Sequence, residues 1–253
     1  MRKPQKRGVA GGVAPVLACV LLSCLAGCGA DGIDTAQLER DWESYPSEHF
    51  VLYFPLNSPR LSRMAEFAAT CEEISTHVCR VLQVTPDQPI RLFMFNSDAQ
   101  CDSLLGREAG FVDNGKIVMR IGQHPGGYIA RAICRLIDRK ATRLPLLEAG
   151  MFQLYAQPEV NVHAETFGFE RQNRFVPLGD LADTTIEKDP AVYSAEAASF
   201  CAFLLANYGP ERFKSLWSSP EGLAESITKI YGAELGNFEQ EWRKYYRRET
   251  GRT

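Results

Sequence analysis

The chain is poor in the residues from which metal and nucleophile chemistry is built. It has four histidines in 253 residues. It has no Cys-x-x-Cys pair or other metal-ligand spacing, which argues against a structural zinc site. Without a Gly-x-Ser-x-Gly turn or a recognisable Cys/His constellation, a serine or cysteine nucleophile lacks the base and orienting group it needs. The complete Gly-x-x-x-x-Gly-Lys-Ser/Thr loop that cradles phosphates does not occur. Internal repeats and low-complexity blocks are missing. The apolar stretch Val13 to Leu22 is too short to cross a bilayer.

What is present begins with a leader. Arg2, Lys3, Lys6 and Arg7 are positive, Val13 to Leu22 is apolar, and Leu25-Ala26-Gly27-Cys28 follows. In this order the features make a secretory signal. The tetrapeptide resembles the bacterial lipobox, in which small residues precede a cysteine that is lipidated and becomes the mature N-terminus. The resemblance implies a signal peptide over 1–27, palmitate-type acylation of Cys28, and a tether with a short leading helix over 28–47. The alternative is an ordinary signal peptide with a coincidental cysteine. Each buried acyl methylene contributes about 0.8 kcal/mol, so several chains hold a domain at a membrane surface without a span. Gly29 is not the aspartate associated with inner-membrane retention. By that analogy the protein belongs to the outer membrane, facing the periplasm, as a cell-envelope lipoprotein.

The leader carries four basic residues and no acidic one, so the formal charge falls from −3 for the whole chain to −7 without it. That argues against nucleic acid as a partner and against polybasic attraction to anionic lipid. Roughly 220 residues remain, enough for one core or for a core with a helical extension. Past Cys28 stand Cys71, Cys79, Cys101, Cys134 and Cys201. Their number is odd, so at least one is unpaired or pairs outside the chain. Cys71 and Cys79 lie about 12 Å apart along a predicted helix and cannot bridge each other. The other pairings stay open, and buried thiols are the default.

Thr35 to Trp42 reads as the leading helix and Glu48 to Phe54 as a strand. Leu61 to Leu82 has apolar residues at a helical period, with Ser58-Pro59 offering an N-cap and a first-turn proline. Pro89 to Asn96 reads as a strand and Ser97 to Leu105 as a short helix. Phe111-Val112 and Lys116 to Ile121 form a hairpin about Asp113-Asn114-Gly115. Gly126-Gly127 is expected to break the chain. Tyr128 to Tyr155 then reads as two amphipathic helices joined by a short basic connection ending in Pro145. Gln157 to Asn173 is mixed and polar, a loop or short strand, and Pro177 to Leu181 a single turn. Tyr193 to Tyr208 is a helix stopped by Gly209-Pro210, followed by helices over 211–217, 221–231 and 234–246. The class is α+β: a small mixed or antiparallel sheet with one long helix (48–127), then a helical C-terminal half (128–248).

This order of elements resembles the peptidase MA-like, gluzincin-type metallopeptidase domain, over roughly 49–246. Leu144-Pro145-Leu146-Leu147-Glu148-Ala149-Gly150 is similar to the family's Pro-x-Trp-x-x-Glu-Gly segment. Tyr193 to Phe200, Asn207-Tyr208-Gly209 and Glu241-Trp242-Arg243 resemble its later helices. In active members the first helix of the pair carries His-Glu-x-x-His, and a glutamate on the second completes the zinc site. Here the matching positions read Ala130-Arg131-Ala132-Ile133-Cys134. Alanine has no donor atom, arginine repels zinc and cannot act as a base, and Cys134 is a lone possible ligand. Anchoring on Gly150 puts Ala149 where the third ligand belongs, with Glu148 about 100° away around the helix. The resemblance thus implies a zincin-like fold with a vestigial site: Ala130, Arg131, Cys134, Glu148 and Ala149, no catalytic residue, no metal and no cofactor.

The same helix has a plain packing pattern. Ile129, Ala132, Ile133, Leu136 and Ile137 form an apolar stripe flanked by Ala130 and Cys134, and Arg131, Arg135 and Asp138 form a solvated face. Glu148 serves as a charge in a helix first turn. The expected function is a pseudoenzyme, lipid-anchored through Cys28, that binds an envelope protein or peptide. The alternative is a divergent hydrolase whose site is rebuilt from His124, Cys134, Glu148 and His163, which requires at least three of these to converge. Arg243 to Arg248 either contacts an anionic surface or places cations at a helix end. Tyr155, Phe167, Phe169 and Phe175 either line a cleft or fill a core.

Overall fold

A computed structural model describes residues 33–56, 58, 61–138, 142, 144–183 and 189–251. The leader, Cys28, Pro59 and most of the basic connection before Pro145 lie outside the described residues. The fold is α+β. Five strands, β1 (Glu43–Pro46), β2 (Phe50–Phe54), β3 (Ile90–Phe95), β4 (Phe111–Asp113) and β5 (Lys116–Arg120), form one sheet in the order β1-β2-β3-β5-β4. β2, β3 and β5 run parallel, and the edge strands β1 and β4 are antiparallel to their neighbours.

Both faces of the central strand β3 are covered, so it is apolar at nearly every position. Leu92 and Met94 enter a large core, while Phe93 and Phe95 enter a small one with Leu38, Cys101, Ala109, Phe111 and Val118. The small core lies under α1 (Ala36–Asp41) and α3 (Asp98–Leu105). Aromatic pairs finish it: Tyr53 stacks on Phe93 and Trp42 meets Phe95 edge-on, each at 4.8 Å. The large core receives α2 (Met64–Leu82), whose Met64, Ala68, Cys71, Ser75, Val78 and Leu82 recur at helical spacing and are buried. The helix does not start as the Ser58-Pro59 pair suggests. A 3-10 turn over Leu61–Arg63 precedes Met64, Arg63 makes no side-chain cap, and Ser58 is buried with its N–H on the Pro55 carbonyl.

The helical half begins at α4 (Gly126–Ile137). Gly126 and Gly127 do not break the chain; they are its first turn. They are glycines because α5 (Pro145–Ala156) passes against them. A Cβ on Gly126 would fall 2.0 Å from the Tyr155 carbonyl oxygen, and one on Gly127 2.7 Å from that of Phe152. α5 is buried around most of its circumference rather than amphipathic, since it lies between α4 and α8 (Pro190–Trp217). α8 changes direction at Gly209, where φ is 77° and Pro210 follows, so the stop expected there is a kink between two helical rods. The stretch expected as loop or strand contains α6 (Val162–Arg171), nucleated by Asn161, whose side chain accepts from the N–H groups of His163 and Ala164. α7 (Leu178–Asp183), α9 (Leu223–Tyr231) and α10 (Leu235–Glu249) complete the half. β1 also departs from expectation: it extends the sheet into the segment expected to be tether, and all four of its residues are exposed.

Candidate functional site

The positions where the family resemblance would place zinc fall on facing turns of α4 and α5. They are not on a cleft wall. Ala130 and Cys134 have no solvent exposure, and Ala149 has 5%. Arg131 is not on a solvated face. It is 5% exposed, with its guanidinium carbon 4.9 Å from the centroid of the Phe152 ring. α5 covers the side of α4 that a two-layer helix would leave to water, and the cation is accommodated against an aromatic face. Arg135 is likewise half-covered and donates to Glu148 Oε1 at 2.8 Å. Glu148 thus sits in the first turn of α5 as a bridge to α4.

Behind this layer the space is filled by sulfur and backbone. Cys201 of α8 donates its thiol proton towards the Leu147 carbonyl, with Sγ and O 3.7 Å apart. A Cβ on Gly150 would lie 2.3 Å from the Ala197 carbonyl oxygen and 2.5 Å from Cys201 Sγ. α5 and α8 therefore meet backbone to backbone where the third zinc ligand would reach inward. Burial raises the thiol of Cys134 well above its ordinary value, with smaller contributions from Cys201 and Glu148. Burial does the same to Cys201 and to the Tyr155 phenol. All five cysteines after residue 33 are free thiols, and those in this layer are protonated and inert as nucleophiles.

The four side chains of the rebuilt-site alternative are not brought together. His124 precedes α4 and its Nδ1 accepts from the Gly126 N–H at 3.2 Å. Cys134 lies in the core beside Cys201, Glu148 pairs with Arg135, and His163 is on α6. Among the described residues no three His, Cys, Asp or Glu side chains group in a way that could hold a metal ion.

Two polar arrangements escaped the sequence reading. The first is Ser199, fully buried on α8. Trp242 Nε1 donates to its Oγ at 3.0 Å, and the same oxygen lies 2.9 Å from His163 Nδ1. An indole only donates, so the Ser199 oxygen accepts from Trp242, and the direction of its bond with His163 follows the imidazole tautomer. Burial lowers the His163 pKa against a small opposing pull from Glu249. The pair has the distance of a nucleophile and its base, but Ser199 has no exposed surface for a substrate to reach. It ties α6, α8 and α10 together. The second is Glu196, also fully buried, whose two oxygens share the Val176 N–H at 3.2 and 3.3 Å. Burial pushes its carboxyl up to about 8, the Val176 hydrogen bond and Arg243 opposing.

The aromatic residues divide. Phe175 packs on Trp242 and Tyr246, with the Arg243 guanidinium carbon 3.9 Å from the centroid of its ring, and Tyr155 is part of the large core's rim. In the C-terminal run, Arg243 and Arg247 both pair with Glu170 of α6, so these cations clamp two helices. Open space lies elsewhere. A cavity of about 310 Å³ sits where β3 and β5 end and α2 and α4 begin, lined by Met64, Met94, Met119 and His124 among others. Neither a protein-family model nor a curated protein matches the chain.

Proposed function

We propose that the protein is a lipid-anchored component of the cell envelope. On this reading its metallopeptidase-like frame binds a polypeptide or other envelope partner and does not catalyse. The observation that supports the non-catalytic reading is the packing at the vestigial positions. Ala130, Cys134 and Ala149 are core, Gly150 is closed by α8, and Arg131 brings a fixed positive charge to the same turn. A divalent cation would have too few donors and no volume there, and would be repelled by Arg131.

The anchor reading is supported by the leader and is compatible with how the chain enters the fold. The Ile33 N–H donates to Asp113 Oδ2 at 2.8 Å, and Lys116 Nζ donates to the Ile33 carbonyl at 3.0 Å. The five residues back to Cys28 reach at most about 17 Å. An acylated Cys28 would therefore hold the β4–β5 turn end of the sheet towards the membrane, in the outer membrane facing the periplasm. The cavity at the far ends of β3 and β5 would then open away from lipid. No helix among the described residues is long and apolar enough to cross a membrane.

The test is a single preparation from membranes. Equilibrated with zinc and washed, the protein is expected to retain no stoichiometric metal and to show no chelator-sensitive cleavage of peptides. Retained zinc with such cleavage would overturn the non-catalytic reading. The Cys28→Ser variant is expected in the soluble fraction, and its full retention on membranes would count against the anchor.

A further inference from the structure

We propose that the cavity at the carboxyl ends of β3 and β5 is a binding site for a small apolar group that bears a carboxylate. The inference goes beyond the reading above and holds whether or not Cys28 is acylated. It rests on three features: the floor, the rim, and the direction of the surrounding backbone.

The floor is apolar and adaptable. Met94 and Met119 are register partners on the parallel strands β3 and β5, so their side chains lie next to each other on the same sheet face. Met64, at the start of α2, joins them, with Phe67 and Ile121. The sequence has five methionines, and three of them line this one cavity. Unbranched thioethers fill irregular space and accept ligands of varied shape better than branched side chains do. The volume of about 310 Å³ suits a group the size of a large apolar side chain with a few polar atoms.

The rim presents donors, and bonds already made fix that polarity. Gln123 Oε1 accepts from the Arg120 N–H at 2.8 Å, which leaves its NH₂ as the free end. His124 Nδ1 accepts from the Gly126 N–H, so the neutral ring carries its proton on Nε2. Arg63 adds a guanidinium. Glu66 is the one carboxylate in the lining; it lies 3.6 Å from Arg63, and both side chains are more than 70% exposed, so water screens their charge. Thr70 donates its hydroxyl proton to the Glu66 carbonyl. A ligand that meets Gln123, His124 and Arg63 together meets three donors, and the group that satisfies them is an acceptor with negative charge.

The backbone agrees. β2, β3 and β5 all point their carboxyl ends to this side, and the crevice beyond such ends is where open sheets with parallel strands bind ligands. α2, with 19 residues, and α4, with 12, both begin at the cavity. His124 takes the first N–H of α4 and a 3-10 turn runs into α2, so what these two helix ends add to the rim is the positive end of each dipole. The ligand chemistry has two sources, a free small carboxylic acid or the C-terminal residue of a polypeptide, since both join an apolar group to a carboxylate.

The test uses the full-length protein in non-ionic detergent, carrying ¹³C on its methionine methyl groups, titrated with N-acetyl-leucine and with N-acetyl-leucinamide. The acid is expected to shift the signals of Met64, Met94 and Met119 saturably, with Met151 of α5 unmoved as an internal reference. The amide is expected to bind at least about tenfold more weakly. Leucine-terminated peptides with a free or an amidated end separate the sources. A free-ended peptide that binds tenfold tighter than the acid assigns the site to polypeptide C-termini, and equal binding assigns it to small acids; both support the proposal. Arg63→Ala and His124→Ala are expected to weaken the acid and leave the amide unchanged. His124 also holds the start of α4, so the acid-to-amide ratio on the unaltered protein decides. The proposal is overturned by no saturable shift up to about 20 mM acid, or by equal binding of acid and amide. It is also overturned by shifts of the three methyls with silver ion and none with the acid, which would make the thioethers soft-metal ligands.

Discussion

α4 passes through two unlike environments within four turns. At its middle, Ala130, Arg131 and Cys134 are buried in the layer where α4, α5 and α8 meet. At its beginning, Pro125 and His124 border a cavity whose floor is three thioethers and whose rim is donors. The resemblance in sequence points to the first place, and the physics of packing points to the second. Small apolar side chains at these positions let the helices close, because an unfilled void forfeits dispersion contacts on all its walls. A binding surface, if the frame keeps one, must then lie where the sheet's own geometry leaves room. Here the carboxyl end of the parallel strands is one such place.

The contrast can be broken most forcefully at Gly150. Gly150→Val puts atoms within the Ala197 carbonyl and Cys201 sulfur, and is expected to cost about 3 kcal/mol or more in urea unfolding. A cost under about 1 kcal/mol would mean that α5 and α8 can part and that the closed layer is not closed. Gly168→Ala on α6 is the matching control. Its added methyl meets nothing within 4 Å, and it should stabilise by about 0.5–1 kcal/mol.

Next in size is Glu196→Gln, which asks whether the buried polar groups of the helical half are maintained at a cost. The folded state holds the Glu196 proton more tightly than the unfolded chain, with a pKa of about 8 against 4.5. Between those values the folded state binds more protons, so this group lowers stability as pH rises through the window, and the loss is complete above about pH 8. The amide keeps the acceptor for the Val176 N–H and removes the titration. The variant should match the parent near pH 4.5 and exceed it by roughly 1–3 kcal/mol at pH 8.5. An unchanged pH profile would remove Glu196 from the account.

What the sequence shows and what it hides follow from local versus tertiary causes. α2 was visible because its burial repeats at helical spacing, and the β4–β5 hairpin because Asp113-Asn114-Gly115 states its turn: Asn114 and Gly115 both have positive φ. The fold class followed from the order of such elements. β1 was hidden because an edge strand with four exposed residues and a proline carries no apolar alternation. α6 was hidden by its mixed face, although Asn161 was a legible cap. Arg131 misled because a cation on a helix reads as solvent-facing, and only the position of α5 decides otherwise. The cavity left almost no trace, since pairing Met94 with Met119 needs the β3–β5 register, and β3 and β5 are separated in the chain by α3 and β4.

The central claim is that the middle of α4 is closed to metal by packing, and does not merely lack ligands. It is tested most directly by installing ligands. In a chain carrying Ala130→His, Cys134→His and Ala149→Glu, thermal unfolding is measured with and without zinc. The account predicts a lower midpoint than the parent, from forcing two imidazoles and a carboxylate into filled core, and no recovery when zinc is added. A midpoint restored or raised by zinc would contradict it, since it would show that the helices leave space for a metal site.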